Sequence, residues 1–170
     1  MKTKTIIILI ILIVAGLFIW GYLSKGGTSA SVQGVRESNV SDSSLIVSET
    51  FYDFGTISMK NGNVSKEFTV TNSSDQNITL SKVLTSCMCT NAFIVRPDGS
   101  AKGPFGMAGH GGAVPPANEL INAGERRIIR VVYDPNAHGP AGVGKIDRFI
   151  TLTDTSGNNL QLEIKANVTP

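Results

Sequence analysis

From Leu160 to Val168 the chain sets Leu160, Leu162, Ile164, Ala166 and Val168 at alternate positions, with Gln161, Glu163, Lys165 and Asn167 between them. Successive side chains of a strand point to opposite faces, whereas a helix brings together residues three and four apart. Alternation of this kind predicts a strand packed on one side and wetted on the other. The pattern recurs. Val64–Asn72 puts Phe68 and Val70 on one face, Arg127–Tyr133 does the same with Ile129, Val131 and Tyr133, and Arg148–Thr153 with Ile150 and Leu152. Ile78–Leu84 follows the turn-forming cluster Ser73-Ser74-Asp75-Gln76-Asn77, and Leu45–Val47, Phe51–Ile57 and Thr90–Val95 add further short strands. Ser156-Gly157-Asn158-Asn159 reads as a hairpin turn, because Gly and Asn tolerate positive φ. About seven short strands separated by turn signals predict an all-β, immunoglobulin-like β-sandwich over residues 45–170.

Composition narrows the choice. Only 16% of residues are charged while 18 are Gly, which suits strands joined by Gly-rich turns better than a helical bundle. The net charge is +2 with its charges scattered, so there is no basic face and no nucleic-acid partner is expected. Roughly 120 residues suffice to bury a core unaided, and two cysteines are too few for a disulfide framework.

The other end of the chain has a different character. Ile6 to Leu23 reads IIILIILIVAGLFIWGYL, without charge or strong breaker. About 18 residues at roughly 1.5 Å each give about 27 Å, close to a bilayer core. In lipid a lone segment must bond its backbone internally and is therefore helical. Lys2 and Lys4 precede the run, and Trp20 and Tyr22 lie near its outer end, which favours an inside N-terminus. Residues 1–24 are thus expected to form one transmembrane helix, an N-terminal signal-anchor. Residues 25–44, rich in Ser, Gly and Asn, would be a flexible linker. The β-domain then lies outside the cytoplasm, periplasmic or extracellular, on a single-pass membrane protein. The alternative is a cleaved signal peptide ending near Thr28-Ser29-Ala30, which exports the domain equally.

Two segments break the strand pattern. Pro97–Asn118 and Asp134–Gly144 are crowded with Gly and Pro. Long irregular loops in a small domain are generally functional or disordered, so residues 97–118 are expected to form a long loop of one of these kinds.

Several motifs now combine into a resemblance. Phe51-Tyr52-Asp53-Phe54-Gly55-Thr56-Ile57 is similar to an "F-D-F-G-x-I" opening, and Phe68 to Leu80 (FTVTNSSDQNITL) to a strand, "N-x-[SG]" turn and strand. Thr85-Ser86-Cys87-Met88-Cys89-Thr90 is similar to an "S-C-x-C-T" signature, and Asn122-Ala123-Gly124-Glu125 to a later "pGE" element. Over roughly Ser48 to Val168 the chain resembles the bacterial family called domain of unknown function fifteen seventy-three. The resemblance implies an immunoglobulin-like sandwich, often exported and often membrane-bound, and it implies no activity. Met88 stands where the common family form has Gly, and the 97–118 and His138 segments exceed the short family core.

Cys87 and Cys89 are the only cysteines, and His110 and His138 the only histidines. Residues two apart on an extended strand point to the same side, so both sulfurs can face one ion. His110 and His138 each lie in one of the two Gly/Pro-rich segments, with Met107 three residues before His110. Loops at one end of a sandwich can converge. Cys87, Cys89, His110, His138 and Met107 are therefore candidate ligands for copper or zinc, as Cu(I) or Zn(II). Two other readings of the cysteines stay open. They can oxidise to a disulfide, which at this spacing requires a turn because an extended pair sits near the upper limit of Cα separation. They can also be small buried thiols, and loop histidines are commonly just solvated. Asp147 and Arg148 are read as partners for loop backbone. His110-Gly111-Gly112 lacks any accompanying nucleophile elbow, and no catalytic residue stands out. The expectation is a non-enzymatic binding or scaffold module that meets an unknown protein partner. The alternative is a thiol–disulfide redox protein using Cys87 and Cys89.

Overall fold

Each alternating segment forms a strand. In chain order these are β1 (Leu45–Val47), β2 (Phe51–Ser58), β3 (Val64–Asn72), β4 (Ile78–Thr85), β5 (Thr90–Val95), β6 (Ala101–Phe105), β7 (Glu119–Ile121), β8 (Arg126–Tyr133), β9 (Gly144–Asp154) and β10 (Asn159–Thr169). The computed structural model describes residues 44–109 and 113–170. The expected anchor, residues 1–24, the linker up to its last residue, and His110 lie outside the described residues. Among the described residues no helix is long and apolar enough to cross a membrane.

The strands make two five-stranded sheets, ordered β1-β3-β8-β5-β6 and β2-β10-β9-β4-β7. Neighbours run antiparallel, with the exception of β2 and β10, which pair in parallel. The inward residues read from the alternation are buried, except Leu160 near the start of β10, which is half-buried. Phe68, Val70, Ile129, Val131 and Tyr133 come from the first sheet, and Ile150, Leu152, Leu162, Ile164, Ala166 and Val168 from the second, all in one apolar cluster. Each large aliphatic or aromatic side chain so removed from water contributes about 1.5–3 kcal/mol, which is what clamps one sheet onto the other.

The described residues hold ten strands rather than about seven, and two of them are instructive. β6 occupies the early part of the predicted long loop, and β7 follows its end. Ala101-Lys102-Gly103-Pro104-Phe105 has no β-branched residue and carries Gly and Pro, so local preference argues against a strand. It is nonetheless the edge strand beside β5, where a missing Pro N–H costs no ladder bond. β7 has only three residues, paired to β4 from Ile78↔Ile121 to Leu80↔Glu119. Such a strand exists only because β4 is there to template it.

A charged cluster lies within the sheets' packing, unexpected from the pattern. Glu119 is 2% exposed and Arg127 6%. Glu119 accepts from Arg96 Nε and Nη2 at 2.9 and 2.7 Å and from Arg127 Nε at 2.9 Å. Arg127 also reaches Glu125 at 2.7 Å and the Leu120 carbonyl at 2.7 Å. The hydrogen bond from Arg96 holds the Glu119 carboxyl below the ordinary carboxylate range, against the opposing effect of burial and with further help from Arg127.

Two crossovers between the sheets carry the candidate site. Ser86–Cys89 carries the chain from β4 in one sheet to β5 in the other, and the stretch from Asp134 to Val143 carries it from β8 to β9. Because Thr90 pairs with Tyr133, both crossovers leave from adjacent strand ends.

Candidate functional site

The Ser86–Cys89 crossover is a turn held mainly by Thr85. Its hydroxyl donates to the carbonyls of Cys87 and Thr90, each at 3.0 Å, while Thr90 N–H donates to Cys87 O at 3.1 Å. This folds the chain back sharply enough to bring the two cysteine Cα atoms to 5.3 Å, and a disulfide joins Cys87 to Cys89. The turn that such a short bridge requires is therefore present. The two sulfurs have unequal surroundings. Cys89 is 1% exposed and part of the apolar cluster, Cys87 is half-buried, and Met88 between them is exposed.

The neighbouring crossover brings the imidazole. Asp134 N–H donates to Cys89 O at 2.9 Å, tying the start of this loop to the cysteine turn. The Asp134 carboxylate accepts from Asn136 N–H at 2.8 Å, and Asn136 Nδ2 donates to the Met59 carbonyl at 2.8 Å. A 3-10 turn over Gly139–Gly142 then leads into β9. Gly142 packs against Pro135 O and the His138 side chain, where an added Cβ would meet them at 3.2 and 3.5 Å. Loop and turn so pinned, His138 lies on the surface with Nε2 at 3.2 Å from Cys87 Sγ.

Arg148 completes the group from below. It lies on the core-facing side of β9 between Ile146 and Ile150, and its Nε donates to Cys89 Sγ at 3.1 Å. Its Nη1 donates to the Asp147 carbonyl at 2.8 Å, which is backbone of β9 and not of a loop as expected, and the sulfur contact was not foreseen. Reciprocal bonds between Ser86 and Phe149, both 2.9 Å, hold β9 against the end of β4 and so place this guanidinium. Burial raises Tyr133 above the ordinary phenol value, and the nearby Arg148 charge opposes that rise.

The ligand atoms of Cys87, Cys89 and His138 all lie within 4.8 Å of one another. Of the five residues proposed from sequence, the fold brings these three together. His110 lies outside the described residues. Met107 is half-buried and follows Gly106, whose carbonyl accepts from Thr85 N–H at 3.1 Å. The residue that sequence reasoning undervalued is Arg148. Its signal was a cation at an inward position of a strand, between two buried isoleucines.

Chemically the group offers two soft sulfurs, one imidazole and one fixed cation. A disulfide so flanked can exchange with thiols, and the reduced pair can ligate a soft metal ion.

Fold and site together define an all-β, two-sheet sandwich with a Cys-Cys-His group at one end. The family model described as "Protein of unknown function (DUF1573)" matches residues 45–98, a span that contains both cysteines, and bears out the family resemblance over those residues. No curated protein matches the chain. Among solved structures the chain is similar to a protein of unknown function from Porphyromonas gingivalis W83, with TM-score 0.53 and 15% identity, covering 72% of this chain and 46% of that one. It is also similar to the secreted serine protease VesC from Vibrio cholerae (TM-score 0.45, 12% identity, 74% and 24% covered). A third is the ASH / PapD-like domain 7 of human CEP192 (TM-score 0.47, 10% identity, 84% and 98% covered). The chain thus spans less than half of the first relative and about a quarter of the second. At this identity the likeness to the Porphyromonas protein concerns the fold alone.

Proposed function

We propose that this chain is an exported, membrane-anchored binding module with an immunoglobulin-like sandwich, and that its reduced Cys87–Cys89 pair holds a soft metal ion together with His138. The observation that carries the reading is the convergence of the three donors within 4.8 Å of one another. Metal–sulfur and metal–nitrogen bonds of about 2.0–2.3 Å place donors on one ion up to about 4.6 Å apart. Little more than a rotamer adjustment is therefore needed once the sulfurs separate. Reduction of the disulfide takes two electrons and two protons from two external thiols, which leave as their own disulfide, and the ion then replaces the cysteine thiol protons. Copper as Cu(I), or zinc as Zn(II), fits this donor set. Export is supported by the apolar run Ile6–Leu23 and the lysines before it.

The test is metal content. Full-length protein in detergent, reduced and free of chelator, should bind one Cu(I) or Zn(II) per chain. Cys87→Ser with Cys89→Ser should abolish binding, and His138→Ala should weaken it by about tenfold or more. A reduced wild-type protein that takes up neither metal would refute the reading. Protease added to cells whose outer envelope has been opened and whose cytoplasmic membrane is intact should degrade the β-domain, and a domain protected until that membrane is lysed would refute its export.

A second reading, reversible thiol–disulfide exchange, is favoured by the disulfide itself. Cys87 is the more open sulfur and has His138 beside it. Stoichiometric reduction of the bridge by glutathione at an exported-compartment poise would support it, and a bridge resistant to every such poise would exclude it.

A further inference from the structure

We infer that Arg148 makes this site selective for Cu(I) over Zn(II); the inference rests on the metal reading above. Two thiolates carry two negative charges and a neutral imidazole none. With Cu(I) the assembly has net charge −1, and with Zn(II) it is neutral. Arg148 adds one positive charge, its Nε donating at 3.1 Å to Cys89 Sγ. The Cu(I) assembly is then neutral overall, while the Zn(II) assembly is left at +1.

The location gives this difference its weight. Cys89 is 1% exposed and embedded in the apolar cluster, and an uncompensated charge in such a place is unfavourable. Two carboxylates lie nearby. Asp134 accepts from the neutral Asn136 N–H within its own turn and keeps its charge, and Asp147 shares Lys165, at 3.4 Å, with Glu163. Neither stands between the guanidinium and the sulfur.

Among the described residues the group offers three ligand atoms, from Cys87, Cys89 and His138. The sulfurs are also supported as metal thiolates usually are, each by an N–H donor. Cys89 N–H points to Cys87 Sγ at 3.3 Å, and Arg148 Nε–H to Cys89 Sγ. Donors of this kind orient the ligands and tune their basicity.

The experiment uses reduced full-length protein under anaerobic conditions. Cu(I) is titrated against bicinchoninate, and Zn(II) against a fluorescent zinc chelator. Arg148→Gln should weaken Cu(I) by about tenfold or more, equivalent to about 1.4 kcal/mol, while leaving Zn(II) affinity unchanged or improved. Arg148→Lys should restore much of the Cu(I) preference by returning the charge. Arg148→Met provides a second neutral variant if the glutamine variant does not fold. Equal weakening of both metals would mean that Arg148 only supports the turn, and would overturn the inference. So would an unchanged Cu(I) affinity in both neutral variants. A wild-type protein that binds neither metal would instead overturn the underlying metal reading, and the selectivity with it.

Discussion

Replacing Glu119 with Gln should be among the most damaging polar substitutions in this domain. The carboxylate is 3% exposed and receives three charged hydrogen bonds, two from Arg96 and one from Arg127. Breaking a buried ion pair from one side costs about 3–5 kcal/mol, because the remaining charge is left without compensation. Two features moderate the figure here. Arg96 is 37% exposed and can return to water, and Arg127 keeps Glu125 at 2.7 Å. The expected loss is therefore about 2–4 kcal/mol, or about 8–16 °C in Tm for a domain of this size. Urea and thermal unfolding followed by circular dichroism at pH 7 would measure it. A pH series adds a second check. The folded-state pKa of Glu119 is depressed from its ordinary 4.5, first by the hydrogen bond from Arg96. A depressed carboxylate contributes stability that is present above the unfolded-state pKa and is lost as pH falls through the folded-state value. The gap between wild type and Glu119→Gln should therefore be full at pH 7 and shrink below about pH 4.5. A loss under about 1 kcal/mol, or a gap unchanged on acidification, would refute the account of this cluster.

Two further outcomes follow from single sites. Gly103 has φ +133, and an added Cβ would lie 2.9 Å from Ala92 O; Gly103→Ala should cost about 1–3 kcal/mol and loosen β6, measured as faster amide exchange along Ala92–Val95. Asp154 is buried and accepts from Ser156 N–H, Asn158 N–H and Asn158 Nδ2 at 2.8–3.0 Å; Asp154→Ala should lower stability by about 1–3 kcal/mol in denaturant unfolding, and a neutral result would show that the β9–β10 turn forms without it.

The sequence by itself determined the strands whose pattern is local. β3 and β5 run over the residues read from alternation, and the inward faces of β8, β9 and β10 are those the apolar residues marked. A strand with one wet face writes its orientation into every second residue, so no tertiary information is needed to read it. The candidate site was legible in part for a related reason. Cys and His are rare in this chain, and their confinement to irregular segments marked them as chemically distinct.

Tertiary structure decided what depends on partners distant in sequence. β6 and β7 have weak local preferences and exist because β5 and β4 offer them edges. The charges on Glu119 and Arg127 are tolerable inside only because residues from three segments meet there. Likewise, Cys87 and His138 are 51 positions apart, and Cys89 and Arg148 59. Nothing in local sequence sets those distances. They follow from two crossovers leaving adjacent strand ends, and a contact between crossovers is a property of the register, not of either segment alone.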